Sequence, residues 1–129
     1  MFAASPYLLL GLVLALQVKH FICDGPLQTR AMVEGKRIYG QGMGVLHAAI
    51  HLAGTFLVLW IFGLPLWFVA VFSAGEAVLH YHIDFTKECT VKSAGWTMTD
   101  AYFWWAFTAD QGLHHMTYLA IAAAAIALA

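Results

Sequence analysis

Histidine and acidic residues recur at a spacing of four in four separate stretches of the sequence. Residues four apart on an α-helix share one face, with Cβ atoms about 5 to 6 Å apart, so each pair offers two ligands to one ion. The pairs are His20 with Asp24, His47 with His51, His80 with Asp84, and Asp110 with His114. Imidazoles and carboxylates on facing helices are the ligands with which helical bundles hold one or two transition-metal ions. We therefore expect these eight residues to be the metal ligands of one shared centre.

The candidate ligands are more numerous than one ion needs, which leaves two arrangements open. They supply either a two-metal centre or one ion whose imidazoles are oriented by outer carboxylates. Divalent ions such as Zn, Mn or Fe would activate a water molecule and polarise an ester or phosphoryl oxygen. Glu76, one turn before His80, and Asp110 are the predicted catalytic residues. Glu76 lies deepest in its apolar segment, so without a partner we expect it to be protonated and to handle protons or to orient His80.

Several of these polar residues also have simpler interpretations. His82 and His115 each follow a stronger candidate, and we interpret them as interfacial residues that contact water or lipid headgroups. Asp24 could merely end its helix, and Asp84 could pair with Lys87 one turn later. These interpretations do not explain four such pairs at one depth, because ionisable groups within a membrane are costly and by default functional.

The composition indicates a membrane protein. Of the 129 residues, 62% are hydrophobic and only 10% are charged, which is too little polar surface to cover a soluble globule. The six Lys and Arg residues and the net charge of -1 leave no basic face for a phosphate backbone, which argues against nucleic-acid binding. We predict a single transmembrane domain over residues 1–129 that contacts membrane lipids.

Apolar stretches predict an all-α, four-helix bundle that is integral to the membrane. A bilayer core of about 30 Å needs roughly 20 helical residues, and three stretches have that length. The fourth stretch qualifies only if the apolar tail joins the polar segment before it. The predicted helices cover about residues 7–23, 45–62, 64–83 and 99–127. The segment "LQTRAMVEGKRIYG" between the first two indicates an interfacial helix or an extension of the first helix.

The positions of the basic residues predict the orientation. Every Lys and Arg lies at or between the ends of helices 1 and 2 or of helices 3 and 4, so both connections should be cytoplasmic. Both termini then lie outside, and the eight candidate ligands lie near the cytoplasmic interface. No basic segment or cleavage site marks a secretory signal, so the first apolar run is expected to stay as an anchor.

The order of the polar motifs resembles a known family. The motifs are H-x3-D-x3-Q at His20, Asp24 and Gln28 with Lys36 downstream, then His47, then H-x3-D-x2-K at His80, Asp84 and Lys87, then D-Q-x2-H at Asp110, Gln111 and His114. This order resembles the small bacterial and phage membrane proteins catalogued as domain of unknown function 3307. The resemblance implies a multi-pass protein in the cytoplasmic membrane of a bacterium or its phage-infected host, with no established activity. A looser similarity links the chain to membrane-bound metal-dependent hydrolases with H-x3-D motifs near helix ends, as an analogy only.

Four functions follow from these observations. The first is a metal-dependent hydrolase that acts on a lipid or another amphiphile at the cytoplasmic interface. The second is a carrier for protons or metal ions, favoured by the depth of Glu76. A haem-binding bundle with paired histidines as axial ligands is the third. The last is a structural subunit of a membrane or phage complex, with a second copy of the chain or other membrane proteins as partners.

Overall fold

The computed structural model describes residues 5–128, and these form five α-helices with no strand. The all-α prediction is therefore confirmed for the described part of the chain. The helices are α1 (Pro6–Asp24), α2 (Arg30–Gly35), α3 (Gly42–Ile61), α4 (Leu66–Ala94) and α5 (Ala101–Leu128).

Three of these helices, α1, α3 and α4, are long and apolar enough to cross a membrane. This finding supports the membrane association that the composition predicted. Helix α5 has 28 residues, which is also long enough, but Asp110, Gln111 and His114 interrupt its apolar surface near the middle.

Helix α4 extends eleven residues beyond the predicted end at residue 83, since it continues to Ala94. The prediction followed the end of the apolar pattern, but the residues after Asp84 include no proline or glycine that would end a helix. Gly95 ends it instead, with a left-handed φ of 69° and its N–H bonded to the carbonyl of Lys92. The polar residues after Asp84 therefore stay on the same rigid helix as the candidate ligands.

The segment after α1 forms a separate short helix rather than an extension of α1. Thr29 caps α2, and its side chain accepts a hydrogen bond of 3.3 Å from the backbone N–H of Met32. The backbone of α2 lies close to α3, because a Cβ added at Gly44 would be only 3.0 Å from the carbonyl oxygen of Gly35. Glycine at position 44 thus lets α2 carry the next residue, Lys36, against the bundle.

The four long helices pack so that α1 and α4 each contact both α3 and α5. One end of this arrangement is apolar, where the start of α1 and α4 meets the end of α3 and α5. Its buried residues are Leu12, Leu16, Leu59, Leu64, Phe68, Val69, Tyr118, Ile121, Ala122 and Ala125. The opposite end buries histidines, carboxylates and lysines, and this polar layer contains the candidate site.

Candidate metal centre

The polar end of the bundle brings the eight candidate ligands into one connected cluster. Each of the four long helices contributes two of them, and all are buried except Asp24, which is half-buried. Contacts of 3.8 Å or less between ring nitrogens and carboxylate oxygens connect all of them. The cluster comprises His20, Asp24, His47, His51, His80, Asp84, Asp110 and His114. The expected meeting of side chains from four helices is thus present in the structure.

Four of these side chains surround one point. Asp24 Oδ1 lies 2.9 Å from His51 Nε2, 3.1 Å from His47 Nε2 and 3.8 Å from His80 Nε2. The Nε2 atoms of His47 and His80 are 3.0 Å apart, and all four ligand atoms lie within 4.8 Å of one another. Zinc–ligand bonds of 2.0 to 2.1 Å in a tetrahedron place neighbouring ligand atoms about 3.3 to 3.4 Å apart. The observed separations therefore match the edges of a tetrahedral N3O site.

The short contact between His47 and His80 limits the protonation states of the two rings. A neutral imidazole has one N–H and one lone pair, so two facing Nε2 atoms at 3.0 Å need either one shared hydrogen or a cation between them. Asp24 meets the same choice, because its described partners within 4 Å are histidine nitrogens and no lysine or arginine. A metal ion would satisfy all three side chains at once.

The buried charges of the cluster do not balance. It holds four carboxylates, and ion pairs connect only two of them to an ammonium group among residues 5–128. The carboxylates are those of Asp24, Glu76, Asp84 and Asp110, and the ammonium groups are those of Lys19 and Lys36. Buried charges without compensation are costly. One divalent cation, or protonation of two groups, would balance the remaining charge.

Asp84 pairs with Lys36 rather than with Lys87. Lys36 Nζ lies 2.8 Å from Asp84 Oδ2, and it also donates to the side-chain oxygen of Gln28. Lys87, which the simpler interpretation paired with Asp84, contacts Glu88 instead. The ligand atoms of His80, Asp84 and His114 form a second close group, but His80 belongs to the first group too.

Asp110 lies on the α5 side of the cluster. Its Oδ1 is 3.6 Å from His114 Nε2, and its Oδ2 accepts a hydrogen bond of 3.1 Å from the amide of Gln111. Gln111 Oε1 lies 3.0 Å from His20 Nε2, which connects Asp110 to α1. Oδ1 of Asp110 is buried and has no hydrogen-bond partner among the described residues.

Glu76 has partners, contrary to the expectation that it stands alone. Lys19 Nζ lies 3.1 Å from Glu76 Oε1, and the hydroxyl groups of Tyr118 and Thr55 each donate to the carboxylate at 3.3 Å. The reason given for its protonation is therefore wrong, because an ammonium group and two hydroxyl groups compensate the buried carboxylate.

Glu76 also lies on the side of the histidine rings that faces away from Asp24. Its Oε1 is 3.7 Å from His51 Nδ1 and 3.8 Å from His80 Nδ1, whereas the Nε2 atoms of both rings point to Asp24. Carboxylates behind metal-binding histidines fix the tautomer and orientation of the rings. Of the two predicted roles, this position suits orientation of the rings better than proton transfer to a ligand.

Sequence reasoning missed four residues of the network, namely Lys19, Lys36, Thr55 and Tyr118. A signal existed for Lys19, because a lysine near an apolar helical run is as costly as Glu76, and the two have opposite charge. Lys36 comes from outside the long helices, and isolated hydroxyl groups such as those of Thr55 and Tyr118 are common in apolar helices. Only the packing of the helices identifies these three.

A cleft of about 560 Å³ opens beside the cluster, between α1, α4, α5 and the segment that holds α2. Asp24, Lys36 and Asp110 line its polar side, and Phe21 and Phe107 line its apolar side. The two histidines that were interpreted as interfacial differ here. His115 also lines the cleft, with its ring centroid 5.5 Å from that of His20. His82 is exposed and contacts the hydroxyl group of Tyr39.

The comparisons with known proteins identify a family but no activity. Residues 12–129 match the family described as "Protein of unknown function (DUF3307)", whereas no curated protein and no solved structure matches the chain. This match agrees with the resemblance that the order of the polar motifs indicated. Because the match covers nearly the whole sequence, the chain belongs to the DUF3307 family.

Proposed function

We propose that this protein is a membrane metalloprotein that binds one divalent ion, best matched by zinc, through Asp24, His47, His51 and His80. The observation that carries the proposal is the convergence of three Nε2 atoms and one carboxylate oxygen within 4.8 Å of one another. Zinc favours tetrahedral sites built from imidazole and carboxylate ligands. The excess negative charge buried in the same layer supports a divalent cation as well.

One ion fits the cluster better than two. A second ion would need Asp84, but the ammonium group of Lys36 already lies 2.8 Å from Asp84 Oδ2. The second group of ligand atoms also shares His80 with the first, and an Nε2 lone pair binds only one ion. Of the two arrangements that the sequence left open, we therefore favour one ion with outer carboxylates.

All four long helices cross the membrane in this proposal, with both termini outside and the ion near the cytoplasmic face. The packing of α5 against α1 and α4 supports α5 as the fourth span. The basic residues support the orientation, because all six lie at or between the ends that carry the polar layer. The cytoplasmic membrane is then the location in which the positive-inside rule applies most directly.

The reaction we propose is hydrolysis of a lipid or another amphiphile that enters through the cleft. Asp24 is the half-buried member of the ligand set and lines the cleft, so the ion would lie next to a substrate there. A bound zinc ion supplies Lewis acidity to an ester or phosphoryl oxygen. His20 and Asp110 line the same cleft and are placed to accept a proton. Four protein ligands close a zinc site, so turnover requires a fifth position or release of Asp24.

The apolar end of the bundle argues against a carrier. The polar network ends at Thr55, which bonds to Glu76, and at the buried Ser73. One turn further, Leu59 and Val69 belong to the apolar core, so no polar path crosses the described part of the bundle.

The packing of the rings argues against haem. The centroids of the His51 and His80 rings are 3.5 Å apart, and those of His80 and His114 are 4.2 Å apart, with both pairs stacked. Two axial ligands must leave space for an iron and its macrocycle between them. Such stacked rings leave no space of that size.

A combined metal and hydrolysis assay tests the proposed function. Purified protein is loaded with zinc in lipid nanodiscs and given a fluorogenic long-chain acyl ester or the phosphate ester of the same chain. We expect about one zinc ion per chain and hydrolysis of at least one ester, with both lost in His51→Ala. The absence of zinc would overturn the proposal, whereas one zinc ion without hydrolysis of either ester would overturn only the reaction.

Glu76→Gln tests whether Glu76 orients the histidine rings. The amide keeps the shape of the side chain but removes the charge that faces the Nδ1 atoms of His51 and His80. We expect zinc affinity to fall about 10- to 100-fold, with one ion still bound at saturating zinc. Competition with a zinc chelator of known affinity measures the change. An unchanged affinity would show that Glu76 only compensates Lys19.

A further inference from the structure

Lys36 reaches the buried layer from outside the long helices. It follows α2, and only 6% of its surface is exposed. Its ammonium group contacts Asp84 Oδ2 and the side-chain oxygen of Gln28. Burying a lysine costs free energy, and the close approach of α2 to α3 at Gly44 makes this burial possible.

The side chains around the other oxygen of Asp84 could bind a cation. Asp84 Oδ1 lies 3.4 Å from His114 Nε2, and the same nitrogen lies 3.6 Å from Asp110 Oδ1. Asp110 is 4% exposed, and its Oδ1 has no hydrogen-bond partner among the described residues. Two carboxylates and an imidazole therefore converge beside the ammonium group of Lys36, and one buried oxygen is unsatisfied.

We propose that Lys36 takes the place of a second metal ion, so that its ammonium group keeps the centre mononuclear. Without this charge, Asp84, Asp110 and His114 would bind a second divalent ion next to the first. The inference rests on the proposed function, because it requires the first ion. It also explains why eight candidate ligands converge when one ion uses four.

The ligand chemistry agrees with this exchange of cations. Carboxylate oxygens and imidazole nitrogens suit zinc and manganese, and paired sites hold two such ions about 3.5 to 4 Å apart. Asp84 Oδ2 also lies 3.1 Å from His80 Nε2, so Asp84 contacts both groups of ligands and is placed to bridge two ions. An ammonium group at this carboxylate opposes a second cation by direct charge repulsion.

Metal analysis of Lys36→Met tests the inference. Wild type and variant are incubated with excess zinc, separated from free zinc by gel filtration and measured by plasma mass spectrometry. We expect about one ion per chain in the wild type and about two in Lys36→Met, because the unpaired carboxylates bind a second cation. Lys36→Arg, which keeps the positive charge, should stay at one. Lys36→Gln gives a second uncharged variant in case the methionine variant does not fold.

Two further variants locate the added ion. Lys87→Met removes a lysine that lines the same cleft but pairs with Glu88, so its zinc content should stay at one. Asp110→Asn in the Lys36→Met background should return the content from two to one. One ion in wild type, Lys36→Met and Lys36→Gln alike would overturn this inference alone. No ion in the wild type would overturn the proposed function, and this inference with it.

Discussion

Alanine in place of His80 is expected to reduce the zinc content of the purified protein from about one ion per chain to almost none. His80 Nε2 lies 3.0 Å from His47 Nε2, 3.1 Å from Asp84 Oδ2 and 3.8 Å from Asp24 Oδ1, at the centre of the cluster. Its loss removes one of the four ligands and also the ring against which His51 stacks. Plasma mass spectrometry after gel filtration measures the change.

His82→Ala is the matched control for His80→Ala. His82 lies on the same helix, two residues further along, but its side chain is exposed and contacts Tyr39 and the carbonyl of Val78. We expect His82→Ala to keep its full zinc content. Equal zinc in both variants would contradict the assignment of His80, and equal loss in both would indicate damage to the fold instead.

Lys19→Met is expected to destabilise the protein by about 3 to 5 kcal/mol, because it leaves the carboxylate of Glu76 buried without its ammonium partner. The side chains of the pair are 5% and 1% exposed, and Lys19 Nζ also lies 3.1 Å from His51 Nδ1. Thermal unfolding in detergent, compared with the wild type under the same conditions, measures the loss.

The double variant Lys19→Met, Glu76→Gln serves as the control for Lys19→Met. It removes both charges of the pair, so most of the lost stability should return. Lys92→Met, at an exposed position near the end of α4, should change stability by less than about 0.5 kcal/mol. A loss below about 1 kcal/mol for Lys19→Met would show that the ion pair contributes little to the fold.

The membrane character and the meeting of the polar side chains could be predicted because periodicity alone determines them. His20 and Asp24 lie one turn apart near the end of one apolar helix, and His47 and His51 lie near the start of the next. Antiparallel helices joined by short connections place such ends at the same depth. Depth and face were thus available from spacing, without any knowledge of the packing.

The partners of the carboxylates could not be predicted in the same way. Lys36 reaches Asp84 only because α2 folds back against α3, and this approach depends on the contact between Gly35 and Gly44. The end of α4 was also missed, since hydropathy stops near residue 83 but the backbone stays helical until Gly95. Hydropathy reports where a bilayer could end, and not where a helix ends.

X-ray absorption at the zinc edge, measured on the zinc-loaded wild-type protein, tests the central claim most directly. We predict four ligands at about 2.0 to 2.1 Å, with the multiple-scattering signature of three imidazoles and one additional oxygen. Sulfur at about 2.3 Å would assign the ion to a cysteine instead. A first shell of oxygen alone would mean that the histidines do not bind it, and either result would contradict the proposed centre.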